Sequence, residues 1–188
     1  MLILASQSPR RQELLRHAGI SFLVRPAQVE ERRLPGEDAH AYARRLARAK
    51  AEAVSAAPED VVLGADTVVV ADGEILGKPA DEADARRMLR LLSGREHQVI
   101  TGICLRTVQH TVLDSESTSV RFVPLSEEEI ADYVASGEPA DKAGAYAIQG
   151  LASKFIDRLE GCYSNVVGLP LALLYKHLRA LRPQTGTD

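Results

Sequence analysis

The stretch VVLGADTVVV, residues 61 to 70, restricts the fold more than any other part of this chain. Its β-branched residues make an apolar run suited to a strand buried inside a sheet. Asp66 and Thr67 break that run, so the segment reads as strand, polar interruption, strand. Asp72-Gly73 then supplies a strong hairpin turn before EILGKP. A carboxylate inside a buried run is costly unless it is paired, hydrogen-bonded or bound to a metal. An Asp at a strand end often caps a helix or forms a turn. No helix follows here, because strand-like sequence resumes at Thr67, and the balance favours a functional Asp66.

Around this run strands and helices alternate, the pattern of an α/β fold. Leu2 to Ala5 reads as a short strand, and ISFLVRP as another that stops at Pro26. EDAHAYARRLARAKAEAVSA places Tyr42, Leu46 and Ala49 at helical spacing. DEADARRMLRLLSG has an acidic start and Gly94 to end it, while SEEEIADYVASG has a serine cap and a terminal glycine. EHQVITGICLRTVQ and HTVLDSESTSVRFVPL predict two long antiparallel strands. Short strands and loops are expected from Glu138 to Leu169, then a last helix from Pro170 to Leu181. One domain is expected over residues 1–182, with a frayed tail at 183–188.

Composition excludes several classes. A net charge of −3 gives no overall pull toward nucleic acid or anionic membrane, and no apolar run is long enough to span a bilayer. Cys104 and Cys162 match no metal or redox spacing, so free thiols in a reducing cytoplasm are expected. The five histidines have no ligand spacing and are expected on the surface. P-loop, GxGxxG and GxSxG motifs are absent.

The polar motifs that do occur are of another kind. In LASQSPRRQELL, Pro9 suits the first helical position and Ser8 the N-cap, with a hydroxyl available to a first-turn N–H. Arg10 and Arg11 oppose the helix dipole there and need an anionic partner. The segment therefore reads either as a phosphate cradle or as a capped helix whose arginines reach solvent. Glu30 and Glu31 read as a solvated pair or as half of a magnesium site. Lys50 and Lys78, taken singly, read as ordinary surface lysines. DKAGAYAIQG is more polar and glycine-rich than a structural strand requires, and its glycines allow backbone to approach a ligand closely. Carboxylates, lysines, arginines and a phosphate-ready helix start together suit a magnesium–polyphosphate substrate attacked by water.

LASQSPRRQELL, EER ahead of a helix carrying ARAKA, LGADTVVVADGEILGKP, VITG, DKAGAYAIQG and EGCYSNVVGLPL occur in this order. By these motifs the chain resembles the Maf proteins along nearly its whole length. The resemblance implies an elongated mixed sheet flanked by helices with a central cleft, similar to inosine triphosphate pyrophosphatase. It implies a cytoplasmic nucleoside triphosphate pyrophosphatase, homodimeric in many members, with a divalent cation, Mg2+ or Mn2+, as cofactor. Carried over residue by residue, it makes Asp66 the proton acceptor and a metal ligand. Glu31 would help hold the cation, with Glu30 the weaker candidate. Ser6, Ser8, Arg10 and Arg11 would line the triphosphate, and Lys50 and Lys78 would neutralise it. Arg10, Thr67 and Gln149 match the subgroup that prefers dTTP and UTP, whereas Trp, Gln and Glu mark the one that prefers 7-methyl-GTP. The alternative within the class is a 7-methyl-GTP pyrophosphatase, and the alternative from another class is a nucleotide-binding regulator of cell division without turnover.

Overall fold

Strand and helix alternate along residues 1–181, the part of the chain that the computed structural model describes. The order begins with β1 (Leu2–Leu4), α1 (Pro9–His17), β2 (Phe22–Val24), α2 (Ala39–Glu52), β3 (Val61–Ala71) and β4 (Glu74–Leu76). It continues with α3 (Glu82–Leu92), β5 (Glu96–Arg106), β6 (Thr111–Phe122) and α4 (Glu127–Ala135), then β7 (Ile156–Glu160), α5 (Tyr163–Val167) and α6 (Leu171–Leu181). The helix starts obey local chemistry. Asp38 and Asp81 each accept a first-turn N–H, and Ser126 with Glu129 forms a reciprocal capping box. The tail expected at 183–188 lies outside the described residues.

One mixed sheet runs in the order β2-β1-β3-β5-β6-β7, with β4 paired to β3. β1, β2 and β3 are parallel to one another, and the remaining pairs are antiparallel. The expected break at Asp66 and Thr67 does not occur. β5 pairs with β3 from Val62↔Arg106 to Val70↔Gln98, so the ladder carries the backbone straight through both polar residues. The segment before α6 also departs from expectation. It contains three 3-10 turns, at Glu138–Asp141, Ala143–Ala145 and Leu151–Phe155, a single strand and the short α5.

Side-chain alternation assigns the two faces of β3 and β5. On one face Val62, Val68, Ile100 and Cys104 pack with Ala43, Ala47 and Ala51 of α2. On the other face there are two separate apolar clusters. Leu63, Ala65, Ile103 and Leu105 meet α1 and α6, while Val69, Ala71 and Val99 meet α3 and α4. Thr67 and Thr101 lie directly opposite each other between these clusters. Cys104 and Cys162 are free thiols, as expected. No helix among the described residues is long and apolar enough to cross a membrane.

The surface position expected of the histidines fails at His97, which is 2% exposed. Its place on β5 turns the ring into the α3–α4 side of the sheet, edge-on to Phe122 and Tyr146, with Nε2 at 2.8 Å from the Tyr146 hydroxyl. Burial lowers its pKa from 6.5 to about 4. The folded chain therefore holds His97 neutral, whereas the unfolded chain protonates it as pH falls below 6.5. The stability this group contributes is complete above pH 6.5 and is lost as pH falls toward 4. Urea unfolding at pH 7 and pH 5 should differ by roughly 2 kcal/mol from this residue alone. His97→Gln should flatten that slope even if it lowers stability throughout; an unchanged slope would assign the pH dependence elsewhere.

Candidate active site

The cleft follows from a gap in the sheet. β1 pairs with β3 only over Leu2↔Val61 to Leu4↔Leu63, and β4 joins the same edge only from Val69 onward. Between these pairings, no strand among the described residues lies beside the edge of β3 that carries Asp66 and Thr67. The chain leaving β1 turns into α1 on one side of the gap, and Gly77 and Lys78 follow β4 on the other. A cleft of about 510 Å3 opens there. Because neighbouring residues of a strand point to opposite faces, Asp66 and Thr67 build two different walls.

Asp66 forms the carboxylate wall beneath α2. Lys50 belongs to the buried stripe of α2 with Ala43, Leu46, Ala47 and Ala51. Its Nζ lies 2.6 Å from Asp66 Oδ1 and 2.7 Å from Glu31 Oε1. Glu31 comes from the loop before α2, and the Tyr42 hydroxyl holds that loop by donating to the Glu31 carbonyl at 2.9 Å. Burial pushes the Asp66 carboxyl above its ordinary pKa, with Lys50 and Arg11 opposing. Burial also raises Glu31, but the hydrogen bond and charge of Lys50, together with the charges of Lys78 and Arg11, outweigh it and hold Glu31 below the ordinary value.

Thr67 forms the cation wall. Arg11 donates to Gly168 O at 2.8 Å, Thr67 Oγ1 at 3.1 Å and Ser6 Oγ at 3.2 Å. Thr101 spends its proton on Asn165 O at 3.1 Å, so across the 2.9 Å contact Thr67 donates to Thr101 and accepts from Arg11. Asn165 is fixed in turn by its amide, which donates to Val99 O and Thr118 Oγ1, each at 2.9 Å. All three direct partners of Arg11 are neutral. Burial accordingly lowers the pKa of its guanidinium, and a cation in a neutral cage beside a helix N-terminus is a ready seat for an anion.

All the expected site residues except the weaker candidate meet on this cleft: Ser6, Ser8, Arg10, Arg11, Glu31, Lys50, Asp66, Thr67, Lys78 and Gln149. Glu30 does not line it and is exposed. Lys50, which reads as a surface lysine from its own segment, is 9% exposed. Ser8 occupies the N-cap position without capping. Its N–H instead donates to Ser6 Oγ at 3.2 Å, leaving the Ser8 hydroxyl free of the helix. Thr101, Asn165 and Gly168 carry the cage around Arg11 and were missed as site residues, although VITG and SNVVGLPL contain them. Each makes its contribution through contacts distant in sequence, which no local pattern reveals.

The sheet and its flanking helices place the chain in a class of mixed-sheet α/β folds. A Ham1 protein from Staphylococcus aureus has the same fold, with a TM-score of 0.55 and 16% identity, covering 96% of this chain and 99% of that one. Within that class the chain belongs to the Maf family: residues 1–181 match the Maf-like protein family. It is 56% identical to a dTTP/UTP pyrophosphatase of Koribacter versatilis, covering 95% of this chain and 93% of the relative. It is also 50% identical to a dTTP/UTP pyrophosphatase of Citrifermentans bemidjiense, covering 96% and 95%.

The carboxylate wall depends on how closely α2 approaches the sheet, and Gly102 tests that dependence. A Cβ there would lie 2.4 Å from the Ala43 carbonyl carbon, a backbone atom that cannot swing aside. Gly102→Ala should lower unfolding free energy by about 3 kcal/mol, the upper range for overpacking a core. Urea denaturation reads this directly; a midpoint close to that of the unaltered chain would show that the contact is dispensable.

Proposed function

We propose that this chain hydrolyses dTTP and UTP between the α and β phosphates, releasing the nucleoside monophosphate and pyrophosphate. The observation that carries this reading is the pairing of two walls, Asp66 with Glu31 facing Arg11 in its neutral cage. A triphosphate supplies the anion that Arg11 lacks. Arg10 and Lys78 add charge along the same cleft, and the hydroxyls of Ser6 and Ser8 offer donors to phosphate oxygens.

Asp66 is the group to accept the proton of the attacking water. Its burial makes it a stronger base than an exposed carboxylate, and Lys50 at 2.6 Å favours the ionised form needed to accept that proton. As oxygen bonds to the α phosphorus, the bond to the bridging oxygen breaks and pyrophosphate carries away the electron pair. Arg11 stabilises charge on the phosphate oxygens throughout, from a position fixed before the substrate arrives, and Arg10 adds its charge along the cleft.

The donor set also fits a divalent cation. Asp66 Oδ1 and Glu31 Oε1 already converge on one ammonium, and hard cations such as Mg2+ or Mn2+ take one or two carboxylates together with substrate phosphates. No cluster of three or more His, Cys, Asp or Glu suited to a metal exists among the described residues, so phosphate and water would complete the coordination shell. Such an ion would neutralise charge and polarise a phosphoryl oxygen. Gln149, exposed on the cleft, offers both an amide donor and an acceptor to a pyrimidine edge.

Two measurements bear on this. With dTTP and magnesium the first product should be pyrophosphate, and EDTA should stop its release; inorganic phosphate as first product would refute the bond assignment. Asp66→Asn should reduce kcat by roughly a hundredfold or more, the usual scale for a positioned base, and an unaltered kcat would remove Asp66 from the chemistry.

Base recognition has its own test. Gln149→Glu removes a donor and sets a negative charge against pyrimidine carbonyls, so kcat/KM for dTTP and UTP should fall about tenfold relative to 7-methyl-GTP. An equal fall for all three substrates would make Gln149 a structural residue.

A further inference from the structure

We propose that Glu138 and Tyr133 form a clamp that holds the loop carrying Gln149 and so sets how sharply the pocket distinguishes pyrimidine from purine triphosphates; this rests on the base-reading role given to Gln149 above. Neither residue lines the cleft. They act through backbone, which makes them positioning residues.

The geometry is reciprocal. Gly137, with φ of 76°, turns the chain at the end of α4 and brings Glu138 back beside Tyr133. The Tyr133 hydroxyl donates to Glu138 Oε1 at 2.7 Å and accepts the Ala147 N–H at 3.2 Å. Glu138 Oε2 accepts the Leu151 N–H at 3.0 Å. One hydroxyl–carboxylate unit thus ties down the backbone two residues before and two residues after Gln149. The carboxylate also lies flat against the next residue, where a Cβ on Gly150 would sit 2.2 Å from Glu138 Oε2. Tyr133 is 3% exposed, and burial together with Glu138 keeps its phenol protonated, as the donating role requires.

The catalytic groups are held by other means. Lys50 stands on α2, Asp66 on β3, and Arg11 is caged by Ser6, Thr67 and Gly168. The upstream end of the same loop is fixed independently, by the Gly144 N–H on Gly77 O at 3.0 Å and by Tyr146 against His97. Releasing the clamp therefore frees residues 147 to 151 and leaves the phosphate site in place. Its loss should be felt in substrate binding and base choice, with little change in the chemical step.

The test is steady-state kinetics of the full chain with dTTP, UTP and 7-methyl-GTP for Glu138→Ala, Glu138→Gln, Tyr133→Phe and Gln149→Glu. Glu138→Ala should raise KM for dTTP about tenfold and lower the dTTP to 7-methyl-GTP ratio of kcat/KM by a similar factor, with kcat within about twofold. Glu138→Gln keeps a carbonyl for the Leu151 N–H and should recover most of the ratio. Tyr133→Phe is nearly isosteric and should reproduce the loss, so it carries the test if Glu138→Ala does not fold. A fall in kcat shared by all three substrates would overturn the clamp, and so would an unchanged ratio in clamp variants beside a changed one in Gln149→Glu. If Gln149→Glu itself leaves the ratio intact, the base-reading role falls and the clamp's function falls with it.

Discussion

The contact between α2 and the sheet is the constraint on which the site depends. Gly64 and Gly102 lie beneath the helix, and a Cβ on Gly64 would fall 2.0 Å from the Ala47 carbonyl oxygen. With Ala43, Ala47 and Ala51 as the facing stripe, helix backbone rests almost directly on strand backbone. That proximity lets the Lys50 ammonium reach Asp66 and Glu31 together. A larger residue at either glycine would lift the helix and leave a buried carboxylate without its partner, a far costlier state than a paired one. Packing of small residues and placement of charge are here a single requirement.

Much of this was legible in the sequence, because local chemistry and tertiary structure agree. The capping serine and acidic turn before α4, the Asp72-Gly73 hairpin and the two long antiparallel strands all formed where their residues predict. The seam between β1 and α1 also signals its anion affinity in sequence, since Arg10 and Arg11 stand at a helix start that disfavours cations. What could not be read was any property arising from contacts distant in sequence. His97 is inside because β5 faces α4 and the Tyr146 turn there, and nothing in EHQVITG separates it from a surface histidine. Lys50 looks like a solvated helix residue until Gly64 and Gly102 are known to lie under that helix. β3 runs uninterrupted for a related reason: the polarity of Asp66 and Thr67 demands partners for their side chains and leaves their backbone pairing with β5 intact.

The neutral cage around Arg11 fixes a cation without neutralising it. A guanidinium fixed by a carboxylate would already be satisfied and would have to exchange partners to meet a phosphate. Arg11 is held by a carbonyl and two hydroxyls, so its geometry is set while its charge stays available. The chain from Thr67 through Thr101 to the backbone of Asn165 resists rotation of those hydroxyls, and the Asn165 amide anchors that segment to β5 and β6. Preorganisation of this kind lowers the reorganisation needed when charge arrives.

The register of β3 against β5 ties both walls together. Asp66 lies opposite Gly102, and Thr67 opposite Thr101. A slip of one residue would turn every side chain of β3 to the other face. The carboxylate would then enter the neutral cage and cancel Arg11, while the hydroxyl would sit under Lys50 and leave that ammonium with Glu31 alone. The same slip would carry Gly64 away from α2 and drive Leu63 or Ala65 into the helix backbone. Steric fit at the glycines therefore penalises the one misalignment that would exchange the two walls, and Asp66 can stand in a buried strand without its place being ambiguous.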